Sequence, residues 1–211
     1  MKYLKITHIF IYVLTVTFFQ CTQVKNVKSI IDLATSVIEI INAFSESNVS
    51  FTNKVKETTE LTSKTLNSGG DVKEVAIFWE KYWEEITTDY GNLNNQLSVI
   101  KDESLKYFAI LDENNALIVD ASLRQQDSLK TAQLRQRWDF EYQKASNRIA
   151  EIGVMITKGN DYNIILRNTA GRAEIIQSIS ALNDISYRAD LLATDIRVFA
   201  INAKAIFQPQ I

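Results

Sequence analysis

One run of residues restricts this chain more than any other. Val72, Ala76, Trp79, Trp83, Ile86, Tyr90, Leu93, Leu97, Ile100, Ser104, Tyr107 and Leu111 follow one another in steps of four and three. That spacing keeps a single stripe of one helix turned toward partner helices. A helix of about 40 residues is roughly 60 Å long at about 1.5 Å per residue. A rod of that length buries its stripe only against partners of similar length. Composition points the same way. There is one proline, Pro209, and there are six glycines, too few turn formers for a strand-rich or loop-rich fold. At 46% hydrophobic and 23% charged, the 211 residues are expected to form one domain with its own core.

Three further stripes supply the partners. The first runs Val27, Ile31, Ala34, Ile38, Ile41, Ser45, Asn48, Thr52, Val55, Thr59, Thr62, Leu66, rich in isoleucine early and in Ser and Thr late. Ser and Thr are weak helix formers, so that half needs tertiary support. Ser68-Gly69-Gly70 ends it, and Asp71 with Glu74 reads as a capping box opening the central helix. Asn114-Asn115 is the expected second turn, with a continuous helix as the alternative. A third helix is expected over about 117–157, with the stripe Leu134, Trp138, Tyr142, Ala145, Ile149, Ile152, Ile156. Lys158-Gly159-Asn160 then reads as a stop and restart. The fourth stripe is Gly171, Ile175, Ser178, Leu182, Ile185, Ala189, Leu192, Ile196, Phe199, Ala203, Ile206.

Four such helices with short connections predict an all-α fold: an elongated antiparallel up-down four-helix bundle with coiled-coil-like heptad packing over residues 27–208. A hairpin about Gly69-Gly70 sets Thr59 opposite Trp79, Val55 opposite Trp83 and Asn48 opposite Tyr90. A hairpin about Gly159 sets Ala145 opposite Ala173 and Ile152 opposite Leu166. Helices two and four could equally pair between chains, which leaves a homo-oligomer open.

Residues 1–20 differ in kind. Lys2 and Lys5 precede an apolar core, Ile9 to Phe19, of about eleven residues, the length of a secretory signal. It is too short to span a bilayer, which takes about 20. Phe18-Phe19-Gln20-Cys21 closes it. A cysteine directly after such a segment resembles the lipobox of bacterial lipoproteins. The resemblance implies cleavage before Cys21, diacylglycerol on its thiol, fatty acyl chains such as palmitate, and export to a membrane-anchored, periplasmic or surface position. Residues 21–26 would form the lipidated N-terminus and tether, with Thr22 to Asn26 reaching at most about 17 Å.

Chemistry is sparse. The only histidine is His8, inside the signal-like segment, and the only cysteine is Cys21. A mature chain starting at Cys21 has no Ser-His-Asp or Cys-His machinery and no usual zinc ligands. A di-iron bundle site needs Glu-x-x-His pairs, which are absent. The sequence has no glycine-rich phosphate loop. The expectation is therefore no catalytic residues, no cofactor and no metal. A net charge of −2 gives no footprint for nucleic acid. Glu84-Glu85 reads as a solvated flank. Arg135, Arg137, Arg148, Arg167 and Arg172 alternate with acids and read as a salt-bridged surface.

Within the aromatic cluster Phe78, Trp79, Tyr82, Trp83, Tyr90, helical spacing favours core packing. The functional alternative is a small-molecule pocket lined by Trp79, Trp83 and Tyr90. Ala116 to Leu123, with Leu117-Ile118-Val119, is the best candidate for the apolar hairpin of a membrane-active or pore-forming bundle, but it is far too short to cross. The expected function is a non-catalytic, lipid-anchored binding or structural module at the cell envelope. A protein partner is expected at a tip made by the Gly69-Gly70 and Gly159 turns, or on the polar part of helix three. A small-molecule sensor or carrier, and a membrane-active protein, are the alternatives.

Overall fold

The computed structural model describes the backbone of residues 3–169 and 175–208, and the side chains of 27–168 and 180–208. Four helices follow in order: α1 Tyr3–Asn67, α2 Val72–Leu117, α3 Ala121–Thr169 and α4 Ile175–Phe207. Each packs on two neighbours, α1 on α2 and α4, α3 on α2 and α4. Among the described residues the backbones of the diagonal pairs stay apart, so the cross-section is a square, with Tyr107 and Phe108 of α2 reaching Phe207 of α4 through its centre. Neighbours are antiparallel throughout. Lys54 pairs with Asp89 and Ser47 with Gln96 between α1 and α2. Asn42 meets Lys204, and Lys56 meets Asp190, between α1 and α4. Between α3 and α4, Lys158 reaches Asp184 and Arg148 reaches Asp195. The fold is the all-α four-helix bundle that the periodicity predicts.

The stripes become the core. Ala76, Trp79, Trp83, Ile86, Leu93, Leu97, Ile100, Ser104 and Tyr107 of α2 are buried, as is the α4 series from Leu182 to Ile206. In α1 the stripe is buried or half-buried from Ala34 onward. A second row, Val37, Phe44, Phe51 and Thr58, is buried beside it, because a helix at the corner of a square touches two neighbours. The threonine-rich half is held as it must be, by burial of Thr52, Thr58, Thr59 and Thr62. The Thr59 hydroxyl donates back to the carbonyls of Val55 and Lys56.

Several boundaries differ from the sequence expectation. Gly159 is not a turn. The backbone stays helical through it to Thr169, because the α3 stripe continues unbroken as Ile152, Ile156, Gly159, Tyr162, Leu166, all buried. Ile152 and Leu166 therefore share one helix and do not face each other; Ala173, Gly171 and Arg172 lie outside the described residues. The second turn lies at Ile118–Asp120, not at Asn114-Asn115. Asn115 is buried and donates to Thr131 Oγ1 at 3.1 Å, and Asp120 caps α3 by accepting from the Ser122 and Leu123 amides. Val27 and Ile31 are exposed. Finally, α1 is helical through residues 21–26. As helix, the five residues Thr22 to Asn26 reach only about 8 Å, less than half the extended estimate.

The lengths of the helices create a stagger. Phe207, the last residue of α4, packs on Trp138 of α3 at a ring separation of 5.1 Å. Seventeen residues of α3, about 25 Å of helix, precede Trp138 and extend beyond α4. Residues 121–130 are all exposed in consequence.

Candidate functional site

The N-terminal end of α2 carries the most concentrated chemistry. Asp71 opens the helix, its carboxylate accepting from the Lys73 amide at 2.8 Å. Two turns on, Trp79 and Trp83 stand at i and i+4 and stack with ring centroids 4.7 Å apart and an interplanar angle of 12°. Both are buried, at 0% and 2% exposure. Tyr162 closes one side, its ring edge-on to Trp79 at 4.8 Å. Each indole then finds a carbonyl on α3: Trp79 Nε1 donates to Gly159 at 3.0 Å and Trp83 Nε1 to Ile156 at 3.2 Å. A buried indole N–H needs such a partner, and a carbonyl has a second lone pair to offer beyond its helical bond.

Gly159 explains how two tryptophans come this close to a helix backbone. A Cβ built there would fall inside the Trp83 ring. Further along, a Cβ on Gly153 would meet the Tyr90 hydroxyl at 2.7 Å. The α3 face toward α2 thus pairs absent side chains with large ones, Gly159 with Trp83 and Gly153 with Tyr90. The hairpin expectation sets Thr59, Val55 and Asn48 of α1 opposite these aromatics and does not identify the two glycines of α3. The available signal was the heptad spacing, which passes through Gly159 without a break.

Trp79, Trp83 and Tyr90 are therefore brought together along one interhelical seam whose space is filled by α3. Phe78 and Tyr82 turn outward, with centroids 4.4 Å apart, and line a shallow groove of about 430 Å³ between α1 and α2. Lys54, Glu57, Glu85 and Leu61 share its walls. The Asp89 carboxylate, 2.6 Å from Lys54 Nζ, holds that ammonium above its usual pKa.

Other sequence candidates are dispersed. Glu84 and Glu85 are exposed, and Glu85 lies 3.7 Å from Lys54. Arg135 pairs with Asp112, Arg148 with Glu151 and Asp195, and Arg167 with Glu80. The surface is salt-bridged, but mostly across helices rather than with the acids alternating nearby in sequence. Among the described residues no three His, Cys, Asp or Glu side chains converge as metal ligands. Likewise, no helix among them is long and apolar enough to cross a membrane. Cys21 lies on the backbone of α1, its side chain outside those described. Gly69, with φ +76°, does form the turn between α1 and α2; Gly159 is about 15 Å of helix away from the end of α3 and takes no part in that tip.

Comparison with protein-family models, with curated proteins and with solved structures yields no match.

Proposed function

We propose that this protein is a lipid-anchored helical rod of the bacterial cell envelope that acts without catalysis, as a binding or structural module. The observation that carries the reading is the N-terminal segment, Lys2 to Gln20 followed by Cys21. Acyl chains on Cys21, at about 0.8 kcal/mol per buried CH₂, would hold the chain stably on a bilayer. Because the helix runs unbroken from Tyr3 to Asn67, an anchor at Cys21 is joined to the bundle by a stiff helical link. A rod carried this way presents the Asn67–Asp71 turn at its far end, roughly 70 Å out for the 46 residues of α2. That turn is polar, Asn67-Ser68-Gly69-Gly70-Asp71, and is where a protein partner would be met.

Metabolic labelling with palmitate tests the anchor. Label is expected on the wild-type chain and absent from Cys21→Ala; label retained at the N-terminus of the variant refutes it. Affinity capture from envelope extracts tests the tip. Replacing residues 67–71 with a different polar turn is expected to abolish specific capture, and undiminished capture refutes that assignment.

A further inference from the structure

The two ends of the bundle differ in chemistry. The turn between α1 and α2 has no apolar side chain. Leu117-Ile118-Val119 lies where α2 passes into the α2–α3 turn, and its two outer side chains are uncovered: Leu117 is 69% and Val119 94% exposed, the two highest values among the described large apolar side chains, with Ile118 half-buried between them. Leu123 on the first turn of α3, and Val27 and Ile31 on α1, are also exposed at this end. The stagger accounts for this, since α4 stops level with Trp138 and leaves the end of the α2–α3 hairpin without a fourth helix. An apolar cluster at one end of a rod is a candidate contact surface.

The register between α1 and α2 says what lies beside it. Ser47 faces Gln96 and Lys54 faces Asp89. Continued along the two antiparallel helices, the same offset brings Ile118 level with residue 25 of α1. Cys21 is one helical turn further, about 6 Å along the axis. An acyl-bearing Cys21 at the bilayer surface therefore brings the Leu117–Val119 turn to the headgroup level. Charge leaves apolar contact as the binding term. Asp112, Glu113, Asp120 and Asp127 lie near the turn in sequence or register against Arg124, Lys130, Lys28 and Lys25, four acids to four bases, so there is no basic excess to seek anionic lipid. The Asp120 carboxylate is already engaged in capping α3.

We propose that the Leu117-Ile118-Val119 turn is a second membrane contact, seated in the headgroup–acyl boundary of the bilayer that holds Cys21. This rests on the lipid-anchor reading and deepens it. Interfacial apolar side chains enter that boundary by about 5–10 Å, the depth one exposed turn can supply. An anchor alone leaves a rod free to tilt; two contacts, Cys21 and the turn, fix which way it stands.

The test uses the full acylated protein in phosphatidylcholine vesicles. With Cys21 acylated, Val119→Cys supplies the sole free thiol for an environment-sensitive fluorophore, and Ser68→Cys supplies the far-end control. Both sites are exposed, so neither label disturbs the core. Iodide quenching at position 119 is expected to be weaker than at 68 by about threefold or more, with spin-labelled lipid quenching position 119 alone. The protection is expected to persist at high salt and at one protein per vesicle. Equal iodide quenching at the two sites overturns the proposal. So does protection that vanishes on dilution, which would mean that a second copy covers the turn. Mass measurement separates the two levels: an unacylated Cys21 removes the anchor reading and this proposal together, whereas an acylated Cys21 with a water-exposed turn removes this proposal only.

Discussion

Gly159→Ala is the sharpest probe of the seam between α2 and α3. The backbone at Gly159 is ordinary helix, so alanine meets no conformational strain there, and its intrinsic helix preference favours folding by about 1 kcal/mol. The added methyl, however, occupies the space of the Trp83 ring. That ring cannot swing away, because it is stacked on Trp79, and Trp79 is bonded to the same glycine's carbonyl. Overpacking of this kind costs about 1–3 kcal/mol. Displacing Trp83 also strands its N–H from Ile156, at about 1–3 kcal/mol for a buried donor. The balance is a destabilisation of about 3 kcal/mol, or a fall in Tm of about 6–12 °C for a chain of this size. Gly91→Ala is the internal control. It too lies in helix, but nothing stands within 4 Å of its Cβ, so only the helix preference remains and stability rises by about 0.5–1 kcal/mol. Urea unfolding of both variants, followed by far-UV circular dichroism and tryptophan emission, reads the pair. If Gly159→Ala proves as stable as Gly91→Ala, the knob-in-hole account of the tryptophan seam is wrong.

Gly69→Ala should destabilise by about 1–2 kcal/mol in the same assay, because φ +76° is left-handed and no steric contact contributes; Gly69→Asn should recover part of the loss. Thr131→Val orphans the buried Asn115 amide and should cost about 1–3 kcal/mol, whereas Asn115→Leu combined with Thr131→Val should come near neutral; additive costs in the double-mutant cycle would contradict a coupled pair. Burial raises the Tyr107 pKa above its ordinary value. Above about pH 10 the unfolded chain loses that proton while the folded one keeps it, so stability is complete below that pH and falls as pH rises toward the folded value. Tyr107→Phe should flatten this alkaline loss in urea titrations run from pH 9 upward, a range set by the ordinary tyrosine value; an unchanged slope would contradict it.

Much of the fold is legible in the hydrophobic period, since a residue's place on a helix face depends only on its spacing from its neighbours. The α2 stripe, the α4 stripe from Leu182 and the position of the Gly69-Gly70 turn are all of this kind. The Arg surface was legible as a class, not in its pairings, because Arg148–Asp195 and Arg167–Glu80 join helices whose alignment no local pattern records.

Glycine marks the limit. Gly69 and Gly159 are the same residue in similar polar company, Ser68 and Gly70 in one case, Lys158 and Asn160 in the other. One breaks a helix and the other is buried inside one. The difference lies in what stands opposite: a turn in the first case, the Trp83 ring in the second. An absent side chain has no pattern of its own, so its meaning is decided by the neighbour that fills its space. The stagger that uncovers Leu117-Ile118-Val119 is of the same order. Sequence alone determined that four helices form and which stripes they bury. Only tertiary packing decided where α3 ends, how far α4 reaches, and hence which apolar turn is left without a protein partner.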